Sequence, residues 1–569
     1  MCCSNKKVWP FWWRYLTAAA VVTILYIIAG AIFGIQWRYG VNDDSILMTY
    51  ISGMNTGTPE AYLTWERVLY GAVVAKFYEL TPAIPWYIIF HLFFEWLSLV
   101  TIFNVILKKT RSGIHWFFGV AIFAVLYFRI LLVESLRPQF TTLAGLCVGS
   151  VIVVLLSLSD DDEKSEKIVS HVTMFLLSYV GLNLREELIY IAAVLYIGTF
   201  ILMFIRKNAT LKQIVVFSVI CFVMITASLV ADKVYVKTHN WQEGWNFINA
   251  RSSFIDYDNY TYEEYPEGFD AIGWDDTLDV MSRDWFFMDE NVTTEALEKV
   301  VEFSQSNLDR SIAAAIKRAL RFFLDDKLVL AMVLAWGACA LVALVISWKN
   351  KKAFWYALGM AGFYAAGMCL WGVLFYINRY PQRVIDMVLL LTLLPSVIEA
   401  IEFAKLYQAT DEKAILKKEF FLSIACTFAL VLLAGSVMPD EKEMSQFLYD
   451  RTDEVVEYVK SNPDKIFVKD TDIAQIYNPF TTQPVGATKN LICWGECFYN
   501  TPVYFRQINA NGYEQMTAEN FFDDNVYVIR YAIPSEDSAF MKYMRKRWPQ
   551  LQVDIVDAQE YFTVIKFTK

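Results

Sequence analysis

The sequence predicts an α-helical polytopic membrane protein with about eleven transmembrane helices, a large extracytoplasmic loop and a small C-terminal α/β extracytoplasmic domain. Of the 569 residues, 56% are hydrophobic and 19% are charged, whereas soluble proteins have about 25% charged residues. The apolar residues form eleven stretches, most of them near the roughly 20 residues that a helix needs to cross a bilayer. Lysine and arginine are concentrated in every second short loop, as in a chain that crosses a membrane repeatedly.

Three long segments interrupt the series of predicted spans. The spans cover residues 16–35, 84–107, 113–133, 140–158, 168–184, 188–205, 214–231, 328–347, 354–377, 384–403 and 420–437. The long segments are a first outer loop at 36–83, a large outer loop at 232–327 and a tail at 438–569. The tail is long enough for a small domain. We therefore divide the chain into a transmembrane bundle at 1–437 and a C-terminal domain at 438–569.

The basic residues of the short loops predict the orientation of the chain. The loops of one side hold eighteen lysines and arginines, and those of the other side hold seven. Because the more basic side normally faces the cytoplasm, we expect a multi-pass protein of the cell membrane with a cytoplasmic N-terminus. An odd number of spans then places the C-terminus and all three long segments outside. The net charge of -10 argues against nucleic acid as a partner.

The first outer loop opens with an acidic pair, Asp43 and Asp44, just after the first span. A carboxylate can act as a general base that takes a proton from an acceptor hydroxyl. Two adjacent carboxylates can instead bind Mg²⁺ or Mn²⁺ and offset phosphate charge. Either aspartate can also cap the helix predicted over 46–51. The residues themselves leave the catalytic, metal-binding and structural roles open.

Four arginines lie at the outer ends of predicted spans, against the usual distribution of charge. They are Arg137, Arg185, Arg379 and Arg383. The planar guanidinium group matches phosphate oxygens, so we predict that these residues hold a lipid phosphate or pyrophosphate near the headgroups. Snorkelling or pairing with neighbouring carboxylates is the structural alternative. Arg67 is expected on the surface of the first outer loop.

Two ionisable residues, His91 and Glu95, lie four positions apart inside the second span and therefore on one helical face. Ionisable groups are costly within a bilayer and usually face the protein interior. The pair is predicted to line a groove for a lipid substrate or a proton path. The structural alternative is a hydrogen bond between the two side chains.

The large loop is acidic and rich in aromatic residues between positions 256 and 290. Its rings are Tyr257, Tyr260, Tyr262, Tyr265, Trp274 and Trp285. Rings that stack on sugars, beside carboxylates that accept hydrogen bonds from hydroxyl groups, are typical of a glycan-binding surface. Packing of the rings on the bundle is the alternative.

The tail reads as a small α/β domain. Its predicted helices cover 441–460 and 538–548, and its predicted strands cover 465–469, 525–530, 553–556 and 561–567. Two cysteines of this domain, Cys493 and Cys497, are candidates for a disulfide bond.

The layout of the chain resembles that of the GT-C-fold integral membrane glycosyltransferases. The shared features are the acidic pair after the first span, the amphipathic stretches at 46–51 and 63–80, the many spans and the outer C-terminal domain. The layout is also similar to polytopic membrane proteins of bacterial surface-polysaccharide loci. The resemblance covers most of the chain, but one short motif carries it. It implies a transferase that moves a sugar from a polyprenyl-phosphate-linked donor to an envelope glycan or lipid acceptor at the outer face, among the membrane lipids. Asp43 or Asp44 would be its catalytic aspartate.

Two other functions stay open at this point. The chain can be a transporter or flippase for lipid-linked glycans, or a non-catalytic scaffold for polysaccharide assembly. Transporters often have paired halves, which the sequence lacks. An outer cleft that converges on Asp43 favours the enzyme, whereas an open path across the bundle favours transport.

Overall fold

The computed structural model describes residues 10–33, 37–110, 119–120, 123–124, 126–127, 131–206, 211–304, 311–325, 327–406 and 439–569. Eight helices in these ranges are long and apolar enough to cross a membrane, and the helix that contains Met332–Ser347 adds a shorter apolar segment. A five-stranded sheet lies in the C-terminal part. The fold is therefore that of a multi-pass membrane protein with a small mixed domain, as predicted.

The helices before the tail fall into three groups along the chain. The first group is α1 (Phe11–Phe33), α2 (Asn42–Ile51), α3 (Val68–Leu80), α4 (Trp86–Thr110), α5 (Leu132–Leu136), α6 (Phe140–Ser157), α7 (Lys164–Leu184), α8 (Leu188–Arg206) and α9 (Leu211–Thr238). The large loop contains α10 (Gln242–Ile255), α11 (Pro266–Asp270), α12 (Asp276–Arg283), α13 (Thr294–Ser304) and α14 (Ile312–Asp325). The bundle resumes with α15 (Lys327–Ser347), α16 (Lys351–Tyr376) and α17 (Gln382–Leu406).

Nine of the eleven predicted spans coincide with helices of the structure. The predicted span at 420–437 lies outside the described residues, and so does most of the one at 113–133. Several helices continue past the predicted apolar segments because a helix does not have to end at the membrane surface. Helix α9 extends to Thr238, so Asp232, which was predicted to begin the large loop, is helical.

Helix α6 is the centre of the bundle, since all of its residues are buried. Glycines allow its close contact with α17. A Cβ atom on Gly145 would lie 2.6 Å from Met387 Cγ, and one on Gly149 would lie 2.9 Å from the Leu390 carbonyl oxygen. Small residues at such contacts let helix backbones approach closely within membranes. The N-terminus of α6 consequently has a fixed position beneath the first outer loop.

The two ends of the bundle differ as the loop charges predict. At one end, residues predicted to be cytoplasmic form ion pairs, including Arg14 with Glu166 at 2.8 Å and Lys108 with Asp162 at 2.6 Å. The three long segments meet one another instead. Gly486 N–H donates to the Gly53 carbonyl at 2.9 Å, and Phe287 N–H donates to the Trp494 carbonyl at 3.0 Å. These segments therefore share one side, and its outward orientation stays a prediction.

Cysteine labelling in intact cells tests that orientation. We expect a membrane-impermeant maleimide to label Glu263→Cys and Asp464→Cys, because both positions are exposed on the side of the long segments. Lys164→Cys, which is exposed near the opposite end, should react only after permeabilisation. The parent protein gives the background from its native cysteines. The reverse pattern of labelling would invert the topology.

The tail folds into a mixed α/β domain. After α18 (Pro439–Ser461) come β1 (Ile466–Lys469), β2 (Leu491–Cys493), α19 (Pro502–Asn509), β3 (Val526–Arg530), α20 (Ala539–Arg547), β4 (Gln552–Ala558) and β5 (Thr563–Thr568). The sheet order is β2-β1-β3-β5-β4, with β1 parallel to both β2 and β3 and with β5 antiparallel to its neighbours. All six predicted elements of the tail are confirmed. Strand β2 and helix α19 were not predicted.

The large loop and the C-terminal domain are built around one hydrophobic core. Buried loop residues such as Trp274 and Phe286 share this core with domain residues such as Trp494 and Phe540. Polar contacts reinforce it, since the Tyr543 hydroxyl donates to Asp289 Oδ2 at 2.7 Å. The loop therefore packs on the C-terminal domain, and together they form a cap over one end of the bundle.

Candidate functional site

A cleft of about 670 Å³ lies where the first outer loop, the large loop and the C-terminal domain meet. Asp43 lines it from α2. The last residues of the three parallel strands, Lys469, Cys493 and Arg530, line it from the sheet. Ligands of α/β sheets commonly bind beyond the carboxyl ends of parallel strands. The structure thus contains a cleft at Asp43, as the enzyme hypothesis requires, on the side of the three long segments.

Helix α2 is firmly held beneath this cleft. The Ser45 hydroxyl oxygen accepts a hydrogen bond from Tyr477 N–H at 2.8 Å, and the Tyr50 hydroxyl donates to Glu496. Residues Asp44, Ser45 and those from Leu47 to Ile51 are buried. The helix that carries the acidic pair is therefore fixed between the bundle and the C-terminal domain.

Asp43 is the member of the acidic pair that reaches the cleft. Its Oδ2 lies 3.2 Å from Nη2 of Arg383, and the two side chains are 18% and 34% exposed. Burial raises the pKa of Asp43 above its ordinary value, although Arg383, Arg185 and Arg251 act to lower it. A carboxylate with a raised pKa is a stronger base than a free aspartate. Asp43 can therefore accept a proton from a group bound in the cleft.

Asp44 has a different position and different contacts. Its side chain is fully buried, and its Oδ1 accepts a hydrogen bond from Phe140 N–H at 2.9 Å. The side chain of Gln139 accepts from the next two N–H groups of α6, at 2.8 and 3.0 Å. Burial, and next the charge of Asp43, raise the pKa of Asp44 well above its ordinary value. Asp44 thus completes the N-terminal cap of α6 and ties α2 to it.

Binding of Mg²⁺ or Mn²⁺ by the acidic pair stays a prediction. Such ions take about six oxygen ligands, whereas one Asp43 oxygen contacts Arg383 and one Asp44 oxygen holds a backbone N–H group. Among the described residues, no group of three or more His, Cys, Asp or Glu side chains is arranged to hold a metal ion. The geometry of the pair fits a general base, Asp43, on a helix that Asp44 holds in place.

The charges of Arg383, Arg185 and Arg251 act on Asp43, and that of Arg379 acts on Arg185 and Arg251. We call these four residues the arginine cluster. Its members are Arg185 after α7, Arg251 in α10, Arg379 between α16 and α17, and Arg383 in the first turn of α17. Burial lowers the pKa of Arg185, and repulsion by Arg383 and Arg379 adds to the effect. Burial likewise lowers the pKa of Arg251, with a contribution from Arg379. Cations that repel one another at short range form a site for an anion.

Each member of the cluster is also held by a neighbour. Arg379 pairs with Asp256 at 2.7 Å. Arg185 contacts both carboxylate oxygens of Glu187, at 2.9 and 3.2 Å. Arg251 donates to the Glu496 carbonyl oxygen at 3.2 Å, and its Nε atom makes no hydrogen bond. The pairing predicted as the structural alternative is therefore present, and it holds the guanidinium groups in place.

Three of the four arginines singled out from the sequence, Arg185, Arg379 and Arg383, are brought together by the fold. Arg137 lies in an adjacent segment, where the Leu136 and Pro138 carbonyl oxygens accept hydrogen bonds from Arg38 and Gly40 N–H groups. Its membership of the cluster stays a prediction. Arg251 was missed, because it lies far from any predicted span and no local motif marks it.

Two further expectations were wrong. Arg67 is buried and pairs with Asp232, so it is not a surface residue of the first outer loop. His91 and Glu95 do not bond to each other: both ring nitrogens of His91 lack hydrogen-bond partners, and its Nδ1 lies 4.0 Å from Asp44 Oδ1. Glu95 lies beside Tyr26 and Ser135 instead.

The cysteines of the C-terminal domain, Cys493 and Cys497, form no disulfide and are both free and buried. Both line the cleft. Burial raises the pKa of the Cys493 thiol to about 12. A thiol with such a pKa is almost entirely protonated at neutral pH and is a weak nucleophile.

Trp285 has a backbone conformation that is unusual for its residue type. It follows the end of α12 with a φ of 63°. The bonds from Phe286 N–H to the Met281 carbonyl and from Trp285 N–H to the Ser282 carbonyl are those of a Schellman motif. Glycine normally occupies the left-handed position of that motif, and another residue costs about 1–2 kcal/mol there. The indole lines the cleft, and the Arg251 guanidinium lies over it, 4.7 Å from the ring centroid.

No protein-family model and no curated protein matches this sequence. Among solved structures, the chain is similar to ArnT from Cupriavidus metallidurans, in crystal structures bound to undecaprenyl phosphate and in the apo state. Both similarities have 10% sequence identity and a TM-score of 0.41. They cover 97% of each chain for the bound form, and 96% of this chain and 97% of ArnT for the apo form.

Proposed function

We propose that this chain is a membrane glycosyltransferase that moves a sugar from a polyprenyl-phosphate-linked donor to a glycan or lipid acceptor. The observation that carries the proposal is the position of Asp43, which lines the cleft, contacts Arg383 and is acted on by the charges of Arg185 and Arg251. A base beside a cationic site suits the transfer of a group away from a phosphate. Three members of the arginine cluster, Arg185, Arg379 and Arg383, lie at the ends of membrane-spanning helices, where the headgroup of a lipid can reach them.

Asp43 takes the proton of the acceptor hydroxyl group while the acceptor oxygen forms a bond to the anomeric carbon of the donor sugar. The bond between that carbon and the phosphate oxygen breaks, and its electron pair leaves with the polyprenyl phosphate. The arginine cluster stabilises the negative charge that develops on the departing phosphate. Asp44 takes no part in the proton transfer and holds α2 against the N-terminus of α6.

Arg383 can act on both the catalytic base and the donor phosphate, because it contacts Asp43 and belongs to the arginine cluster. A donor phosphate competes with Asp43 for its guanidinium group. When Arg383 turns toward the phosphate, Asp43 loses a stabilising cation and becomes a stronger base. Donor binding thereby prepares the carboxylate for the acceptor. The reaction takes place on the side of the long segments, which is extracytoplasmic in the predicted topology.

Binding of undecaprenyl phosphate to the purified protein in nanodiscs tests the cationic site. We expect Arg383→Ala or Arg379→Ala to weaken binding about 10- to 100-fold, because a hydrogen bond to a charged group contributes roughly 1.5–3 kcal/mol. Lysine at either position should restore binding only in part, since it lacks the bidentate geometry. Arg545→Ala is the matched control, because Arg545 pairs with Glu536 in the C-terminal domain. Unchanged affinity in both cluster variants would contradict the phosphate site.

The pH dependence of transfer tests Asp43 as the base. Activity requires the deprotonated carboxylate, so it is present above the pKa of Asp43 and is lost as the pH falls through that value. Because Arg383 lowers this pKa, Arg383→Gln should move the acidic limb of the kcat/KM profile to higher pH. Arg545→Gln should leave the limb in place. An acidic limb that stays fixed or moves to lower pH in Arg383→Gln would rule out Asp43 as the titrating base.

A further inference from the structure

We infer that Trp285 is the stacking platform for an uncharged saccharide bound in the cleft, an inference that rests on the proposed glycosyl transfer and extends it. Of the six aromatic residues singled out in the large loop, all within the described residues, Trp285 is the one that lines the cleft. Trp274 is buried in the core with its indole N–H donating to the Asn291 carbonyl. The Tyr262 hydroxyl donates to Asp270, and Tyr257 lies beneath Arg379.

The backbone at Trp285 indicates that the residue was not selected for folding alone. Among the described helices, two others end with a left-handed residue that is not glycine, Asn240 after α9 and Asn378 after α16. Asparagine tolerates that conformation, as glycine does. A tryptophan has no such advantage, and strained residues concentrate at functional sites. The position that borders the cleft therefore carries a large ring where the turn favours glycine.

The surroundings hold the ring in one place. The Trp285 carbonyl oxygen lies 1.6 Å from where a Cβ atom on residue 495 would be, so the contact requires Gly495. Phe287 N–H donates to the Trp494 carbonyl at 3.0 Å, which fixes the chain two residues later. The Arg251 guanidinium also lies over the indole. The ring is therefore preorganised, and it contacts one member of the arginine cluster.

The charges of the cleft select the class of saccharide. Its lining includes the carboxylates Asp43, Asp284, Asp470, Asp472 and Glu496 and the cations Arg283, Lys469 and Arg530. Arg530 pairs with Asp470, Arg283 pairs with Asp279, and the Lys469 ammonium donates to the Ile473 carbonyl oxygen. Among the described residues, Asp284 and Asp472 form no ion pair, and carboxylates without a cation accept hydrogen bonds from hydroxyl groups and repel anions. An uncharged sugar therefore suits the site, and a uronic acid does not.

The test uses methyl glucoside and methyl glucuronide as probes, with saturation-transfer NMR on the full-length protein in nanodiscs. We expect methyl glucoside to bind and methyl glucuronide to bind at least several-fold more weakly. Trp285→Gly and Trp285→Ala should weaken glucoside binding by about tenfold, and Trp285→Phe by less, because a ring remains. The thermal unfolding temperature of Trp285→Gly should stay within a few degrees of the parent, since glycine suits the turn.

Asn240→Gly is the matched control, because it makes the same backbone change at a left-handed position outside the main cleft. It should not alter glucoside binding. Equal glucoside binding by Trp285→Gly and the parent, or no binding by the parent, would overturn the platform. Stronger binding of the glucuronide would overturn its preference for uncharged sugars.

Undecaprenyl phosphate binding, measured on the same samples, separates this inference from the proposed function. Loss of glucoside binding with retained phosphate binding supports both. A Trp285-dependent glucoside site in a protein that binds no undecaprenyl phosphate supports the platform and rejects the lipid-linked donor. To tell the donor sugar from the acceptor, an undecaprenyl-phosphoryl hexose is compared with undecaprenyl phosphate. A preference for the hexose that disappears in Trp285→Ala assigns the platform to the donor, and an unchanged preference assigns it to the acceptor.

Discussion

Asp43→Asn is expected to abolish glycosyl transfer while the protein remains folded and inserted. General base catalysis contributes about 10²- to 10⁴-fold, and asparagine cannot take the proton of an acceptor hydroxyl group. The side chain is close in size to aspartate, and its loss of charge removes one contact with Arg383. The measurement is transfer from a polyprenyl-phosphate-linked sugar by purified protein in nanodiscs, with undecaprenyl phosphate binding as a check on the site.

Asp44→Asn is the matched control for this experiment. Its side-chain oxygen can still accept the hydrogen bond from Phe140 N–H, so activity should stay within a few-fold of the parent. Asp44→Ala removes the acceptor and should destabilise the protein by about 1–2 kcal/mol, as the loss of a helix cap does. Full activity in Asp43→Asn together with inactivity in Asp44→Asn would exchange the roles that we assign to the two aspartates.

Arg206→Ala is expected to have the largest effect on stability. Arg206, in α8, donates to both carboxylate oxygens of Glu399 in α17 and to the Trp355 carbonyl of α16, at 2.7 Å. The two charged side chains are only 4% and 1% exposed. Removing the arginine leaves the Glu399 charge buried without its partner, which typically costs about 3–5 kcal/mol. Thermal unfolding in detergent measures the loss.

The double variant Arg206→Met with Glu399→Leu separates the broken ion pair from lost packing. Replacing both charges with apolar groups of similar size is often neutral or stabilising, so the double variant should recover most of the loss. Lys299→Ala is the control for an exposed pair, because Lys299 and Glu302 are 61% and 68% exposed, and such pairs contribute about 0–1 kcal/mol. An Arg206→Ala variant that unfolds at the parent temperature would mean that the pair does not support the bundle.

Hydropathy predicts the bundle well because a bilayer requires long apolar helices with internally satisfied backbone groups. The loop charges predict that the three long segments share a side, and the structure joins them there. The arginines at span ends were found for the same reason: short loops fix Arg185, Arg379 and Arg383 near the membrane surface. Their convergence on Asp43 depends on helix packing, which periodicity does not encode.

The remaining parts of the site come from contacts between distant segments. Arg251 and Trp285 belong to the large loop, and Lys469 and Arg530 belong to the tail, so no spacing in the sequence relates them to Asp43. Strand β2 was missed because it has only three residues. Helix α19 had a recognisable signal, since Thr501 and Pro502 are an N-cap and a first-turn proline. The different roles of Asp43 and Asp44 depend on which way each side chain points, which an acidic pair alone does not reveal.

The core shared by the large loop and the C-terminal domain has a consequence for synthesis of the protein. The loop half of this core ends at Val300, whereas the first strand of the other half begins at Ile466. The ribosome therefore delivers at least the helices α15, α16 and α17 before the loop meets the residues that cover its apolar surface. Until translation ends, that surface is open to aggregation and to chaperones. A premature stop within the tail would leave an inserted bundle whose cap cannot fold.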